Sequence, residues 1–72
     1  MRKDIENIKF GRRVVELRHV VGLTQEALAY KSEINRTYLG EIERGEKTPS
    51  LSIIIKISKG LGLTKNKLLD YE

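Results

Sequence analysis

Apolar residues along this chain recur at helical rather than strand spacing. Phe10, Val14, Leu17 and Val21 fall at i, i+4, i+7 and i+11, which predicts a buried stripe on a first helix starting near Asp4 and stopping at Gly22. Arg12, Arg13, Glu16 and His19 lie off that stripe and are expected in solvent. Thr24 is a good N-cap for a second helix over residues 24–31, with Ala27 and Leu28 on its apolar side. Ser32 and Glu33 interrupt the run, and Asn35 caps a third helix over residues 35–44 that turns Leu39 and Ile42 inward and ends at Gly45. After the longest non-helical stretch, residues 45–49, Pro49 opens a fourth helix. Its expected core side holds Leu51, Ile54, Ile55, Ser58 and Leu61, with Ile57 flanking and Ile53 turned toward solvent. Gly60 and Gly62 weaken its end, and Thr64 or Lys65 opens a short last helix with Leu68 and Leu69. The isoleucine run 53–55 favours a strand by propensity, but its flanks keep the helical period. The pattern predicts an all-α fold: a compact five-helix domain spanning residues 1–72.

Composition narrows the function classes. At 72 residues the chain is near the lower limit for one apolar core, and with 0 Cys it has neither disulfides nor thiolate metal ligands to supplement it. No apolar stretch approaches the roughly 20 residues that span a bilayer, and residues 1–10 lack the apolar centre of a signal peptide, so a soluble, cytoplasmic protein without a membrane partner is expected. Lys and Arg number 14 against 10 Asp and Glu, a net charge of +4 that suits a phosphate partner without demanding one. No Gly-rich phosphate loop, nucleophile elbow or acid–base pair is present, and His19 has no second ligand at metal spacing. No enzyme activity, cofactor, metal or small-molecule ligand is therefore expected.

Residues 23–45 carry most of the functional signal. They spell two short helices joined by a tight turn, with polar side chains heading the second, the form in which a helix is presented end-on to the major groove of duplex DNA. The base-reading candidates are Arg36, Thr37, Gly40 and Glu41. Arg36 can fork onto guanine O6 and N7, or else contact a phosphate or simply face solvent. Thr37 can touch a thymine methyl or a phosphate, or merely solvate the helix end. Gly40, one turn beyond Arg36, lets the backbone approach the groove or only weakens the helix. Glu41 can accept from cytosine N4 or orient Arg36 by an ion pair. The phosphate candidates are Thr24, Gln25, Asn35, Tyr38, Lys47, Thr48, Arg12 and Arg13, with Lys9 beside them; each has solvent exposure or packing as its plain alternative.

The Leu17-Arg18 pair, Gly22-Leu23-Thr24-Gln25, Leu28-Ala29, Arg36-Thr37-Tyr38-Leu39, Ile42-Glu43-Arg44-Gly45, Pro49-Ser50-Leu51 and Leu61-Gly62 stand in fixed order without gaps. In this the chain resembles the Cro and lambda-repressor (Xre-like) family of helix-turn-helix DNA-binding domains over about residues 9–69, with the motif itself at about 24–43. The resemblance implies a five-helix fold whose second and third helices position and read. It implies that Gln25 contacts a phosphate while buttressing a recognition residue, and that Arg18 and Glu43 form a structural salt bridge. One departure is Glu33, at a turn position more often Gly or Asn, where a left-handed backbone costs roughly 1 kcal/mol. The stretch AYKSEINRTYLGEIERG is similar to controller proteins of restriction-modification systems and to small phage repressors. Because one recognition helix reads only about four base pairs, a homodimer on a double-stranded operator is expected, acting as repressor or controller. Ile53, Ile57, Leu63, Leu68 and Tyr71 are assigned to its interface, their alternative being to complete the core. The competing class is an antitoxin- or adaptor-type protein-interaction module on the same fold.

Overall fold

Each of the five helices begins on a side chain suited to cap it. The computed structural model describes residues 4–71, so residues 1–3 and 72 of the expected domain, and the start of the segment tested for a leader, lie outside the described residues. Asp4, Thr24, Asn35, Ser50 and Thr64 accept from the first free N–H groups of α1 (Ile5–Val20), α2 (Gln25–Ser32), α3 (Arg36–Glu43), α4 (Leu51–Leu61) and α5 (Lys65–Leu68). No strand occurs among the described residues.

The core is built from Phe10 and Val14 of α1, Leu28 and Ala29 of α2, Leu39 and Ile42 of α3, Ile57 and Leu61 of α4, and Leu68 of α5. Two close backbone approaches determine how the helices cross. A Cβ on Gly11 would strike the carbonyl oxygens of Ile42 and Glu43, the latter at 2.6 Å, so α1 lies directly against the end of α3. A Cβ on Gly60 would strike Ser32 Oγ and stand 3.0 Å from Leu28 Cδ1, so α4 lies as closely on α2. Gly60 therefore serves helix packing and not helix ending; the left-handed stop is Gly62, φ 77°.

That second approach corrects the expected face of α4. With the Gly60 edge pressed on α2, Ile57 is fully buried, Ile53 and Ile54 pack on the core, and Leu51 is 60% exposed. Ile54, Ser58 and Leu61 keep their expected core side while Leu51 leaves it and Ile57 joins it, so the buried face is shifted by less than one residue's turn of roughly 100°. Five of its first seven residues are Leu or Ile, so periodicity alone permits more than one phase. Val21, assigned to the α1 stripe, is instead the exposed C-cap of that helix.

Between α2 and α3 the chain turns through Glu33, at φ 58° and ψ 41°, the one non-glycine in the left-handed region among the described residues. The Ile34 N–H donates to the Ala29 carbonyl at 3.0 Å and the Glu33 N–H to that of Tyr30 at 3.1 Å, while the Ile34 side chain packs on the core. This is a left-handed helix stop with its apolar clasp, formed despite the Cβ of Glu33.

Candidate nucleic-acid interface

The leading end of α3 is open. Asn35 accepts from the Tyr38 N–H at 3.1 Å, and the two residues that follow the cap, Arg36 and Thr37, are both exposed. Thr24 at the head of α2 is likewise exposed and accepts from the Ala27 N–H at 3.0 Å, which leaves its own hydroxyl proton free to donate. Two capped helix starts, each with oriented N–H groups, thus stand on this part of the molecule as anion-favouring points.

Behind them Glu43 ties three helices together. Arg18 of α1 donates from Nε at 2.8 Å and from Nη2 at 3.1 Å to its two carboxylate oxygens, and Gln25 of α2 donates from Nε2 at 2.9 Å. The third arm of the Arg18 guanidinium, Nη1, meets the Leu23 carbonyl at 3.1 Å. The two side chains are 12% and 5% exposed, so the pair is structural, as expected. Its effect on the interface is to orient Gln25. One amide proton is committed to Glu43, and that bond sets the plane in which the rest of the amide is presented.

Gly40 is buried, contrary to its expected place at the groove. A Cβ there would stand 3.2 Å from Arg44 Nη1 and 3.6 Å from both polar atoms of the Gln25 amide, so the room it leaves is taken by the protein's own side chains. Tyr38 is half-buried with its ring against the core, and Glu41 is half-buried. Lys47 and Thr48 are exposed, and the loop that carries them is tied to α1 by the Asn7 amide, which donates to Thr48 Oγ1 at 2.7 Å.

The two neighbouring arginines of α1 differ. Arg12 is exposed, whereas Arg13 is not a free phosphate ligand: it donates from Nε to the Leu68 carbonyl and from Nη2 to that of Lys67, both at 3.1 Å, and pairs with Glu16 at 3.2 Å. Its guanidinium satisfies the carbonyls that α5 leaves at its end, which is why it sits off the apolar stripe yet only 15% exposed. The interface assignments of Ile57 and Leu68 are also corrected. Both are fully buried within their own chain, and Ile53, Leu63 and Tyr71 are partly covered by the same core.

Three residues escaped the sequence reading. Asn7 and Gly11 act through long-range contacts that leave no local pattern. Arg44 is marked in the sequence only by spacing: it stands at i+8 from Arg36 and i+4 from Gly40, on the side of α3 that meets Gln25. Its Nε reaches Glu46 Oε2 at 2.9 Å, and hydrogen bonding and charge from Glu46, aided by Glu41 and Glu43, raise its pKa further above the usual arginine range.

The family model described as Helix-turn-helix matches residues 17–68, which include all of the geometry described for α2 and α3. The chain belongs to the Xre-like helix-turn-helix family. It is 43% identical over 63 residues to the control protein C.BamHI of Bacillus amyloliquefaciens, covering 86% of this chain and 78% of that one. It is 36% identical over 62 residues to the immunity repressor protein of Bacillus phage phi105, covering 86% of this chain but 43% of the repressor. Among solved structures, the restriction-modification controller protein C.AhdI of Aeromonas hydrophila superposes with a TM-score of 0.88 at 39% identity, covering 92% of this chain and all of that one. In this helix-turn-helix domain α2 and α3 are the two helices of the motif, and Glu33 forms its turn.

Proposed function

We propose that this chain is a sequence-specific transcriptional regulator that binds a double-stranded operator as a homodimer, and that it is of the controller kind rather than a phage repressor. The observation that carries the reading is the open, Asn35-capped start of α3, with Arg36 and Thr37 exposed beside a second capped helix start. Arg36 reads a base and Thr37 supports it, while Thr24, Gln25, Asn35, Arg12, Lys47 and Thr48 hold the backbone. Tyr38 contributes its hydroxyl at the edge of that set, and Glu41 orients Arg36. The controller assignment is supported by relatives named as control proteins at 39–43% identity, whose lengths this chain covers by more than three quarters. The domain acts by binding, without cofactor or catalysis, on duplex in the cytoplasm.

The dimer contact that this surface supports uses the exposed Leu51 and the half-buried Ile55, one turn apart on α4, with Leu69 after α5. Leu51 and Leu69 are 60% and 42% exposed, apolar area that a second copy would cover. Selection of bound sequences from a random duplex pool tests the whole reading. It is expected to return two related half-sites with centres ~34 Å apart, or a multiple of that. Arg36→Ala is expected to lose ~1–3 kcal/mol on the selected duplex and to relax preference at one base position. A pool that shows no enrichment sinks the regulator reading, and an equal loss on every duplex reassigns Arg36 to the backbone.

A further inference from the structure

Two turns behind Arg36, the side of α3 next to α2 carries a second arginine in an unusual setting. Gly40 sits in the interior of a helix, where it costs about 1 kcal/mol relative to Ala. The space it leaves is filled by Arg44 Nη1 and the Gln25 amide, which lie 3.2 and 3.6 Å from the point a Cβ would occupy. A guanidinium and an amide therefore converge over one residue of the recognition helix, beside the helix whose start Thr24 caps. The guanidinium remains 56% exposed. It is held by Glu46 through two arms, Nε to Oε2 at 2.9 Å and Nη2 to Oε1 at 3.3 Å. That fork is the arrangement a guanidinium makes with two oxygens of a phosphate.

We infer that Arg44 is a DNA-backbone ligand at the rear of α3, and that Glu46 occupies its guanidinium in the free protein in the manner of a phosphate, so that duplex binding proceeds by exchange of the carboxylate for the DNA backbone. The exchange is feasible because both partners face water, where such pairs are weak and screened. Gly40 provides the slot that lets Arg44 lie flat along the helix beside Gln25, and so at the flank that a backbone strand would follow. Glu46 thereby sets how readily the chain takes any duplex. It removes one positive charge from the approaching face until a phosphate is close enough to displace it.

The inference rests on the regulator reading, and one set of titrations separates the two. Affinity for a selected duplex and for a random-sequence duplex is measured against salt for the wild-type chain, Arg44→Gln, Glu46→Gln and the double variant, with melting temperatures as the check on folding. Arg44→Gln is expected to weaken binding and reduce the salt slope by about 1. Glu46→Gln is expected to tighten binding about two- to fivefold, the range that release of an exposed pair supplies. In the Arg44→Gln background the same substitution is expected to gain nothing comparable. An Arg44→Gln slope equal to wild type overturns the inference. So does a Glu46→Gln gain that persists without Arg44, or one that never appears. A wild-type chain that binds neither duplex overturns the regulator reading and the inference together.

Discussion

Replacing Arg18 by Met is expected to bring this domain close to unfolding. Arg18 supplies two of the three donors to Glu43 and one to the Leu23 carbonyl, and the carboxylate it serves is only 5% exposed. Without it, Glu43 is left buried with the single donation from Gln25 at 2.9 Å. Removing one partner of a buried pair costs about 3–5 kcal/mol, because the other charge remains desolvated. A chain of 72 residues is expected to have a total stability of about 4–11 kcal/mol, so the loss removes roughly a quarter of it at the least. Adding Glu43→Leu removes the stranded charge, and the double variant is expected to lie within ~2 kcal/mol of wild type. The remaining deficit reflects the Leu23 carbonyl and the Gln25 amide, which both lose a partner. Urea unfolding followed by far-ultraviolet circular dichroism reads all four members of the cycle, at one protein concentration so that dimerisation contributes equally. An Arg18→Met loss below about 1 kcal/mol, or a double variant as unstable as the sum of the singles, refutes the reasoning.

Glu33→Gly is expected to raise stability by ~0.5–1 kcal/mol, since it relieves a Cβ at φ 58° at the cost of a more flexible unfolded chain; a melting temperature at or below wild type counts against it. Gly60→Ala is expected to cost ~1–3 kcal/mol by forcing α4 off α2, and Ser32→Ala to recover part of this by clearing the Oγ that the new methyl meets. Ser32→Ala alone should be neutral or slightly stabilising, because that buried hydroxyl has no hydrogen-bond partner. Calorimetry of the three variants decides. Leu51→Lys with Ile55→Lys is expected to leave the fold intact and the chain monomeric in sedimentation equilibrium; a persisting dimer moves the contact elsewhere.

The features legible in the sequence were those that depend on neighbours along the chain. All five helix starts were marked by Asp, Thr, Asn or Ser at the cap, or by Pro49 just before Ser50. The left-handed demand on Glu33 came through family resemblance, which places a Gly or Asn at that turn position. The Arg18–Glu43 bridge came through family resemblance and not through spacing, since the residues are 25 positions apart and on different helices. What the sequence hid was the facing of α4, where apolar residues on nearly every side leave the phase to be chosen by Gly60 and Ser32 across the helix pair. Arg13 was hidden for a related reason. A guanidinium that satisfies distant carbonyls looks the same in sequence as one in solvent. Ile57 flanks the expected stripe of α4 and Leu68 lies on the short α5, so the full burial of both shows only when the helices are packed together.

Gly11 gives α3 an anchor at its tail. Because α1 touches the last carbonyls of α3 and grips the Glu43 side chain as well, the tilt of α3 is held from behind as well as by the bend that precedes it. Any rocking of that helix pivots there, so displacement grows toward Arg36, about 10 Å forward at 1.5 Å per residue. A substitution in α1 that never comes near a nucleotide can therefore misdirect recognition, as one at the bend can.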